Sequence, residues 1–168
     1  MLKVGIIGPE STGKTTLAKY LAKRYQGIYV PEYAREYVER KGTTDVTWEE
    51  LCEIAKYQIE EIKSLTSNSA SGLTSDNEVV FFDTELIVTK VWFDYAFGTV
   101  PEWLIDAINA YPMDVYLLTK SDIAWKPDPA RSNGSDEIRQ ELFDRYEQEI
   151  QALDIPYYII THTREEDN

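Results

Sequence analysis

Residues 8–16 carry the pattern that most constrains this chain, GPESTGKTT, which fits the spacing G-x-x-x-x-G-K-T. An apolar run at residues 4–7 precedes it and a helix-forming segment follows it. Gly8 and Gly13 allow backbone angles that other residues resist, so main-chain N–H groups can turn inward around a phosphate at the start of a helix. A chance glycine turn is the alternative, but it leaves the flanking strand and helix unexplained. The pattern predicts a nucleoside triphosphate site.

Within this loop, the type of each residue predicts which part of a bound ATP or its magnesium ion that residue contacts. Lys14 is expected to reach the outer phosphates, and Thr15 to offer its hydroxyl to Mg²⁺. A single cysteine, Cys52, and a single histidine, His162, cannot form a His/Cys metal cluster, so a metal here should be a hard ion held by oxygens. The predicted nucleotide-binding residues are Gly8, Glu10, Ser11, Thr12, Gly13, Lys14, Thr15 and Thr16.

Composition excludes several classes of partner. The 168 residues fit one domain, 1–168, and one cysteine excludes an internal disulfide. No basic, apolar leader and no long apolar run is present, so we expect a cytoplasmic protein without a membrane partner. Acidic residues outnumber basic ones by 30 to 17, and the net charge of −13 opposes binding to nucleic acid. Association into a homo-oligomer stays open.

Apolar runs alternate with helical patterns along the chain, and this alternation predicts the fold. Strands are predicted at residues 2–7, 28–30, 79–82, 115–118 and 157–160, and helices at 15–26, 32–37, 47–65, 84–97, 101–110 and 136–153. A serine-rich polar loop is expected at about 64–78 and a lid loop at about 121–134. Continuous apolar strands between helices indicate a parallel sheet covered on both faces. We therefore predict an α/β fold, a three-layer P-loop NTPase sandwich with a five-stranded parallel sheet.

Two carboxylates fall at the carboxyl ends of predicted strands, where ligands bind in such sheets. Asp83 ends an apolar strand, as the magnesium-side aspartate of a phosphate-loop protein does, although aspartate is also a preferred helix N-cap. Glu32 follows the second strand and is the candidate that orients or deprotonates an acceptor hydroxyl. Its alternative role is a solvated glutamate in the first turn of a helix.

The segment between the fourth strand and the last helix, WKPDPAR at residues 125–131, is typical of a flap over bound phosphates. An arginine there would neutralise charge on the transferred group and help exclude water when the flap closes. Arg131 is the candidate, with Arg139 second. The alternative is a stiff, proline-containing surface loop in which Arg131 pairs with Asp128.

Residues 119–122, TKSD, are similar to the guanine-reading motif of GTPases, but no D-x-x-G occurs in the chain. That absence argues against a GTPase. Aromatic residues are abundant, with 12 tyrosines and 4 tryptophans. Most should be core or boundary residues, although aromatic and acidic side chains on one rim would suit a flat cationic ring.

Taken together, these motifs resemble the ribosylnicotinamide kinase domain of the NadR family over essentially the whole chain. The resemblance runs through the phosphate loop, the PEYAREYV block at 31–38, FDT at 82–84, and the pattern W-x-x-D-x-x-R-S-x-G-S at 125–135. It implies transfer of the γ-phosphate of ATP to the 5′-hydroxyl of nicotinamide riboside, giving nicotinamide mononucleotide. The expected acceptor-binding residues are Glu32, Tyr33, Arg35, Asp83, Trp125 and Asp128.

Other functions stay in competition with this one. The multifunctional members also transfer adenylyl groups, but a histidine-dependent H-x-G-H site cannot be built with one histidine. Adenylyl transfer and repression are therefore not expected. The rivals are a kinase for another nucleoside or small metabolite, and a nucleotide-binding regulatory switch without a small-molecule acceptor.

Overall fold

The computed structural model describes residues 1–10, 12–70, 72, 78–120 and 136–161. Five strands alternate with six helices in the described part of the chain. The elements are β1 (Leu2–Ile7), α1 (Lys14–Arg24), β2 (Ile28–Val30), α2 (Tyr33–Lys41), α3 (Trp48–Ala70), β3 (Val79–Asp83), α4 (Leu86–Phe97), α5 (Glu102–Ala110), β4 (Val115–Thr119), α6 (Asp136–Ala152) and β5 (Tyr157–Ile160). None of the helices in these ranges is long and apolar enough to cross a membrane.

All five strands are parallel and lie in the order β2-β3-β1-β4-β5. Ile6 packs with α1 on one face of the sheet, and its neighbour Ile7 packs with the helices on the other. This alternation is what a strand buried on both faces requires. The predicted α/β fold with a five-stranded parallel sheet is therefore confirmed. The loop after central β1 opens between β3 and β4, at the kind of switch point where such sheets bind ligands.

Helix α3 begins as the sequence predicts but ends later. Thr47 and Glu50 form the predicted capping box: each side chain accepts a hydrogen bond from the other's backbone N–H, at 3.2 Å in both cases. The helix continues to Ala70, so residues 64–70 of the predicted polar loop are helical. Helix propagation from a well-capped start outweighs the modest helix propensity of serine. The Thr66 hydroxyl donates to the Ile62 carbonyl within that extension, at 2.9 Å.

The turn after β3 is sharper than the predicted helix 84–97 implies. Strand β3 includes Asp83, and Thr84 has a left-handed backbone with φ 69°. Glu85 is the N-cap of α4, because its side chain accepts a hydrogen bond from the backbone N–H of Ile87 at 2.9 Å. Helix α4 therefore begins at Leu86, and the chain changes direction within two residues of the strand's end.

Candidate active site

Two glycines let the phosphate loop follow β1 without steric conflict. Gly13 caps α1 with a left-handed backbone, φ 79°, which a residue with a Cβ rarely adopts. Gly8 lies so close to β4 that a Cβ on it would be 2.1 Å from Oγ1 of Thr119. The loop is thus seated directly on the end of the neighbouring strand.

The phosphate loop surrounds the ammonium group of Lys14 and is held in shape by hydrogen bonds. Lys14 is 5% exposed, and its Nζ donates to the carbonyls of Gly8 and Pro9 at 3.0 and 2.9 Å. The Thr12 hydroxyl donates to the Pro9 carbonyl at 2.7 Å and lies 2.6 Å from Oγ1 of Thr119. Thr119 therefore packs against the loop and helps hold it on β4. A phosphate contact from Thr12 would come from its main-chain N–H, because its hydroxyl is used within the protein.

Asp83 joins the loop to the adjacent strands. Its Oδ2 accepts hydrogen bonds from the hydroxyls of Thr15, at 2.6 Å, and Tyr29, at 3.1 Å. Burial raises the pKa of the Asp83 carboxyl; the bond from Thr15 opposes this, and the nearby Glu32 carboxylate adds to it. Because Glu85 caps α4, the predicted alternative of Asp83 as N-cap is not what the structure has.

Thr15 and Asp83 together present the oxygen ligands that a magnesium ion prefers. A hydroxyl and a carboxylate both present oxygen, the ligand atom of hard cations. The Oδ1 atom of Asp83 is buried and has no hydrogen-bond partner among the described residues. A buried carboxylate oxygen is costly without a partner, and an ion or its water shell would supply one. The geometry therefore fits the metal predicted from the sequence.

Glu32 stands immediately before α2 and is buried, with 9% of its surface exposed. The predicted alternative of a solvated first-turn glutamate does not match this burial. Its side chain makes no N-cap hydrogen bond. Instead it lines two adjoining cavities of about 60 and 170 Å³, an inner one beside Lys14 and an outer one between α2, α3 and α4. Asp83 lines neither cavity, so the two carboxylates lie close enough to interact but only Glu32 faces the cavities.

The two cavities form one path from the phosphate loop to the surface. Both are lined by Glu10, Glu32, Ala34, Leu51, Ile54 and Trp92. Gly8, Lys14 and Thr84 line the inner cavity, whereas Arg35 and Phe97 line the outer one. Two buried carboxylates and an indole thus face a mostly apolar space. Sequence reasoning missed Trp92, Leu51 and Ile54, although the helical spacing of residues 51 and 54 already predicted one buried stripe of α3.

Helix α2 divides its predicted site residues between two faces. Arg35 faces the outer cavity, and its Nε donates to Glu39 at 3.1 Å. Tyr33 lines neither cavity, because its ring stacks on Tyr57 of α3 with the centroids 3.6 Å apart. Residues two apart on a helix cannot share a face. Of the two predicted acceptor-pocket residues, the described cavities therefore include only Arg35, and the role of Tyr33 stays a prediction.

The remaining predicted residues fall at the edges of what the structure describes. Ser11, Trp125, Asp128 and Arg131 lie outside the described residues, as does the whole predicted lid at 121–134. Thr16 is exposed in the first turn of α1. Arg139, the second candidate for the lid arginine, is fully buried in α6, with Nη1 3.4 Å from Asp136. It lines neither cavity.

The family model described as AAA domain matches residues 3–167. Among curated proteins, the trifunctional NAD biosynthesis/regulator protein NadR of Escherichia coli strain K12 is 28% identical over 142 residues, which are 83% of this chain and 33% of that protein. The NadR protein of Salmonella typhimurium is 26% identical over 132 residues, 79% of this chain and 31% of that protein. The chain spans about a third of the length of these curated relatives.

Solved structures agree on the fold. A NadR protein in complex with NR has a TM-score of 0.71 at 22% identity, covering 99% of this chain and 46% of that one. Thymidylate kinase from Ehrlichia chaffeensis has a TM-score of 0.63 at 14% identity, covering 99% and 90%. These likenesses confirm the P-loop kinase fold, and together with the curated relatives they confirm the resemblance to NadR.

Proposed function

We propose that this chain, which belongs to the AAA domain family, is an ATP- and Mg²⁺-dependent kinase. Its P-loop kinase fold and the buried glutamate that faces a cavity beside its phosphate loop support this proposal. The proposed reaction transfers the γ-phosphate of ATP to the 5′-hydroxyl of nicotinamide riboside and gives nicotinamide mononucleotide. One observation carries this proposal: Lys14 and Glu32 line the same inner cavity, so a phosphate and an acceptor hydroxyl would meet there.

On the phosphate side, the main-chain N–H groups at the start of α1 and the Lys14 ammonium would hold the β- and γ-phosphates. Lys14 must exchange its bonds to the Gly8 and Pro9 carbonyls for bonds to phosphate oxygens. Thr15 and Asp83 would hold the magnesium ion, which neutralises charge between the β- and γ-phosphates when bound. Because Tyr29 donates to Asp83, it would keep that carboxylate in place.

On the acceptor side, Glu32 would orient the 5′-hydroxyl and accept its proton. The hydroxyl oxygen forms a bond to the γ-phosphorus as the bond to the β–γ bridging oxygen breaks, and ADP leaves with that electron pair. Assigning Glu32 to the acceptor and Asp83 to the metal follows from their surroundings, since only Glu32 lines the cavities. The sequence also suggests Arg131 in the predicted lid as the residue that would neutralise the charge developing on the transferred group, and this role stays a prediction.

Charge supports a cationic acceptor. Among the described residues, Glu10 and Glu32 are the two carboxylates that line both cavities, and they are 6% and 9% exposed. The described part of the lining also contains two cations, Lys14, which would face phosphates, and Arg35, which donates to Glu39. An aromatic wall from Trp92 beside buried negative charge suits a pyridinium ring.

The test is an acceptor panel with purified protein, ATP and Mg²⁺, following ADP release and the phosphorylated product. The panel contains nicotinamide riboside, its neutral reduced form, uridine, adenosine and deoxyadenosine. We expect the highest kcat/KM with nicotinamide riboside and a lower value with the uncharged reduced form. A preference for uridine or a deoxynucleoside would replace the proposed substrate, and slow hydrolysis indifferent to every nucleoside would favour a regulatory switch.

A further inference from the structure

Thr84, which lines the inner cavity, has two features that are each unfavourable for the stability of the fold. Its backbone is left-handed, φ 69°, which is unfavourable for a residue branched at Cβ. Its hydroxyl is buried and has no hydrogen-bond partner among the described residues, while only 7% of the residue is exposed. Strained backbone conformations cluster at ligand-binding sites, and an unsatisfied buried polar atom in a native structure calls for an explanation such as a ligand.

A second threonine in the same cavity shows that the packing can satisfy a hydroxyl. Thr89 is 3% exposed, and its Oγ1 lies 2.6 Å from Oε1 of Gln58 on α3, to which it donates. Thr84 and Thr89 therefore line one cavity, and of these two hydroxyls only that of Thr84 has no hydrogen-bond partner among the described residues. The contrast points to a ligand atom near Thr84.

We infer that the Thr84 hydroxyl binds a ribose hydroxyl of the acceptor, so that this residue selects ribosides over deoxyribosides. The inference rests on the proposed function. A hydroxyl both donates and accepts, as a sugar hydroxyl does, whereas the carboxylate of Glu32 accepts only. With Glu32 bound to the 5′-hydroxyl, Thr84 in the same cavity supplies the partner that a second sugar hydroxyl needs.

The experiment replaces Thr84 with Val, which keeps the branched shape and removes the hydroxyl, and with Ser, which keeps the hydroxyl. Acceptors are nicotinamide riboside and its 2′-deoxy and 3′-deoxy analogues. We expect Thr84→Val to lower kcat/KM for nicotinamide riboside by about 10-fold or more, the usual effect of an unpaired buried hydrogen-bonding group. For one of the deoxy analogues, the same substitution should change kcat/KM by less than about 2-fold. Thr84→Ser should stay close to the wild type.

A stability measurement tests the premise independently. Because the hydroxyl has no partner in the described part of the chain, Thr84→Val should melt at the same temperature as the wild type or higher. The matched variant Thr89→Val removes a bond to Gln58 and should melt at a lower temperature. A fall in the melting temperature of Thr84→Val would mean that the hydroxyl has a protein partner, and would overturn the inference.

Two other outcomes separate this inference from the proposed function. If the wild type phosphorylates nicotinamide riboside and Thr84→Val does so equally well, the inference fails and the proposed function stands. The inference also fails if Thr84→Val raises the KM for ATP and affects all acceptors equally, because the hydroxyl would then contact phosphate. If the wild type does not phosphorylate nicotinamide riboside, the proposed function fails and the inference fails with it.

Discussion

The phosphate side of the site and its acceptor side are built in different ways. Residues 8–15 form most of the phosphate side, and Asp83 joins them from the neighbouring strand β3. Hydrogen bonds of 2.6–3.0 Å hold the side chains of Lys14 and Thr15 in place. The acceptor side is a space between α2, α3 and α4, with apolar walls and about 170 Å³ of volume in its outer part. The lining of that outer part comes from residues between Glu10 and Phe97, which the fold brings together.

This difference separates the kind of reaction from the choice of substrate. Backbone geometry within one loop determines what binds at the phosphate side, because N–H groups and an ammonium can serve any nucleoside triphosphate in the same way. On the acceptor side, the shape of the cavity and a few buried charges determine which substrate binds. Substitution of one residue in the cavity wall can therefore change the substrate without changing the reaction. Substitutions on the two sides should therefore affect different kinetic constants.

The largest effect is expected at Glu32, where the two sides meet. Glu32→Gln keeps the shape of the side chain but cannot take a proton, so kcat should fall by about 10²- to 10⁴-fold, the usual contribution of a general base. The KM for ATP should change little. Steady-state kinetics at saturating ATP give both constants. Glu36→Gln, the same change on the exposed side of α2, is the control. If Glu32→Gln kept normal turnover, Asp83 would become the candidate base and the assignment of the two sides would break.

Lys14 tests the phosphate side alone. Lys14→Ala removes the ammonium that the loop surrounds, and turnover should fall by about 10²- to 10³-fold, as for one preorganised donor to a transferring group. Calorimetric titration should also show weaker ATP binding with acceptor affinity unchanged. Lys63→Ala, on a solvent-exposed stretch of α3, is the matched control. Near-normal turnover in Lys14→Ala would refute the role of the loop.

Trp92 tests the acceptor side alone. Trp92→Ala should raise the KM for the acceptor by about 10-fold, because stacking of a ring on an aromatic side chain contributes on the order of 1–3 kcal/mol. The KM for ATP should stay within about 2-fold of the wild type. Trp103→Ala, in a tryptophan that lies 36% exposed on α5, removes the same ring away from the cavities. An equal rise of both KM values in Trp92→Ala would show that the two sides are not separable.

The phosphate side could be predicted from the sequence because its parts are contiguous or end a recognisable strand. The G-x-x-x-x-G-K-T spacing located the loop, and the apolar run before Asp83 placed that carboxylate next to Thr15, where the structure has it at 2.6 Å. The parallel sheet followed from the same alternation of strands and helices. Contiguity makes such inferences possible because the residues that shape the loop lie next to one another in the sequence, directly after a recognisable strand.

The acceptor side could not be predicted in the same way, because it depends on which faces of three helices meet. The sequence grouped Tyr33 with Arg35, yet helical geometry turns Tyr33 toward Tyr57 and only Arg35 toward the cavity. Trp92 belongs to no sequence motif, and whether its ring faces the cavities depends on where α4 begins. That start depends on the left-handed Thr84 and on the N-cap at Glu85, and no local propensity indicated either.

Tyr29 gives a smaller, graded test of the phosphate side. Tyr29→Phe removes the donor that holds Asp83 from β2, while Thr15 still donates to the same oxygen. Burial, and then the charge of Asp83, raises the pKa of the Tyr29 hydroxyl, so it stays a donor at neutral pH. We expect the Mg²⁺ concentration for half-maximal turnover to rise by about 2- to 5-fold, because one neutral hydrogen bond contributes about 0.5–1.5 kcal/mol.

Magnesium titrations at fixed ATP measure this shift. Tyr20→Phe, on the exposed face of α1, is the matched control, since its ring is 61% exposed. The acceptor KM should be the same in both variants. A change in acceptor KM for Tyr29→Phe, without any change in the magnesium requirement, would place Tyr29 on the acceptor side instead.

The smallest effect concerns the start of α3, whose Leu51 and Ile54 form one wall of the acceptor side. The hydrogen bond from Lys41, together with those from the backbone and hydroxyl of Thr47, lowers the pKa of the Glu50 carboxyl to about 2 against the opposing effect of burial. A carboxyl whose pKa is lowered by folding stabilises the protein above its unfolded value of about 4.5, and this contribution is lost as the pH falls toward 2.

Glu50→Gln removes that titration but keeps an oxygen for the Thr47 N–H. Thermal melts from pH 7 to pH 2 should therefore show the wild type slightly more stable at pH 7, and the two proteins converging between about pH 4.5 and 2. The advantage should be small and should shrink in high salt, because the carboxylate and its Lys41 partner are 21% and 28% exposed. Glu60→Gln, on an exposed turn of the same helix, should run parallel to the wild type throughout. Curves for Glu50→Gln that stay parallel to the wild type would mean that this wall of the cavity is held by packing of α3 alone.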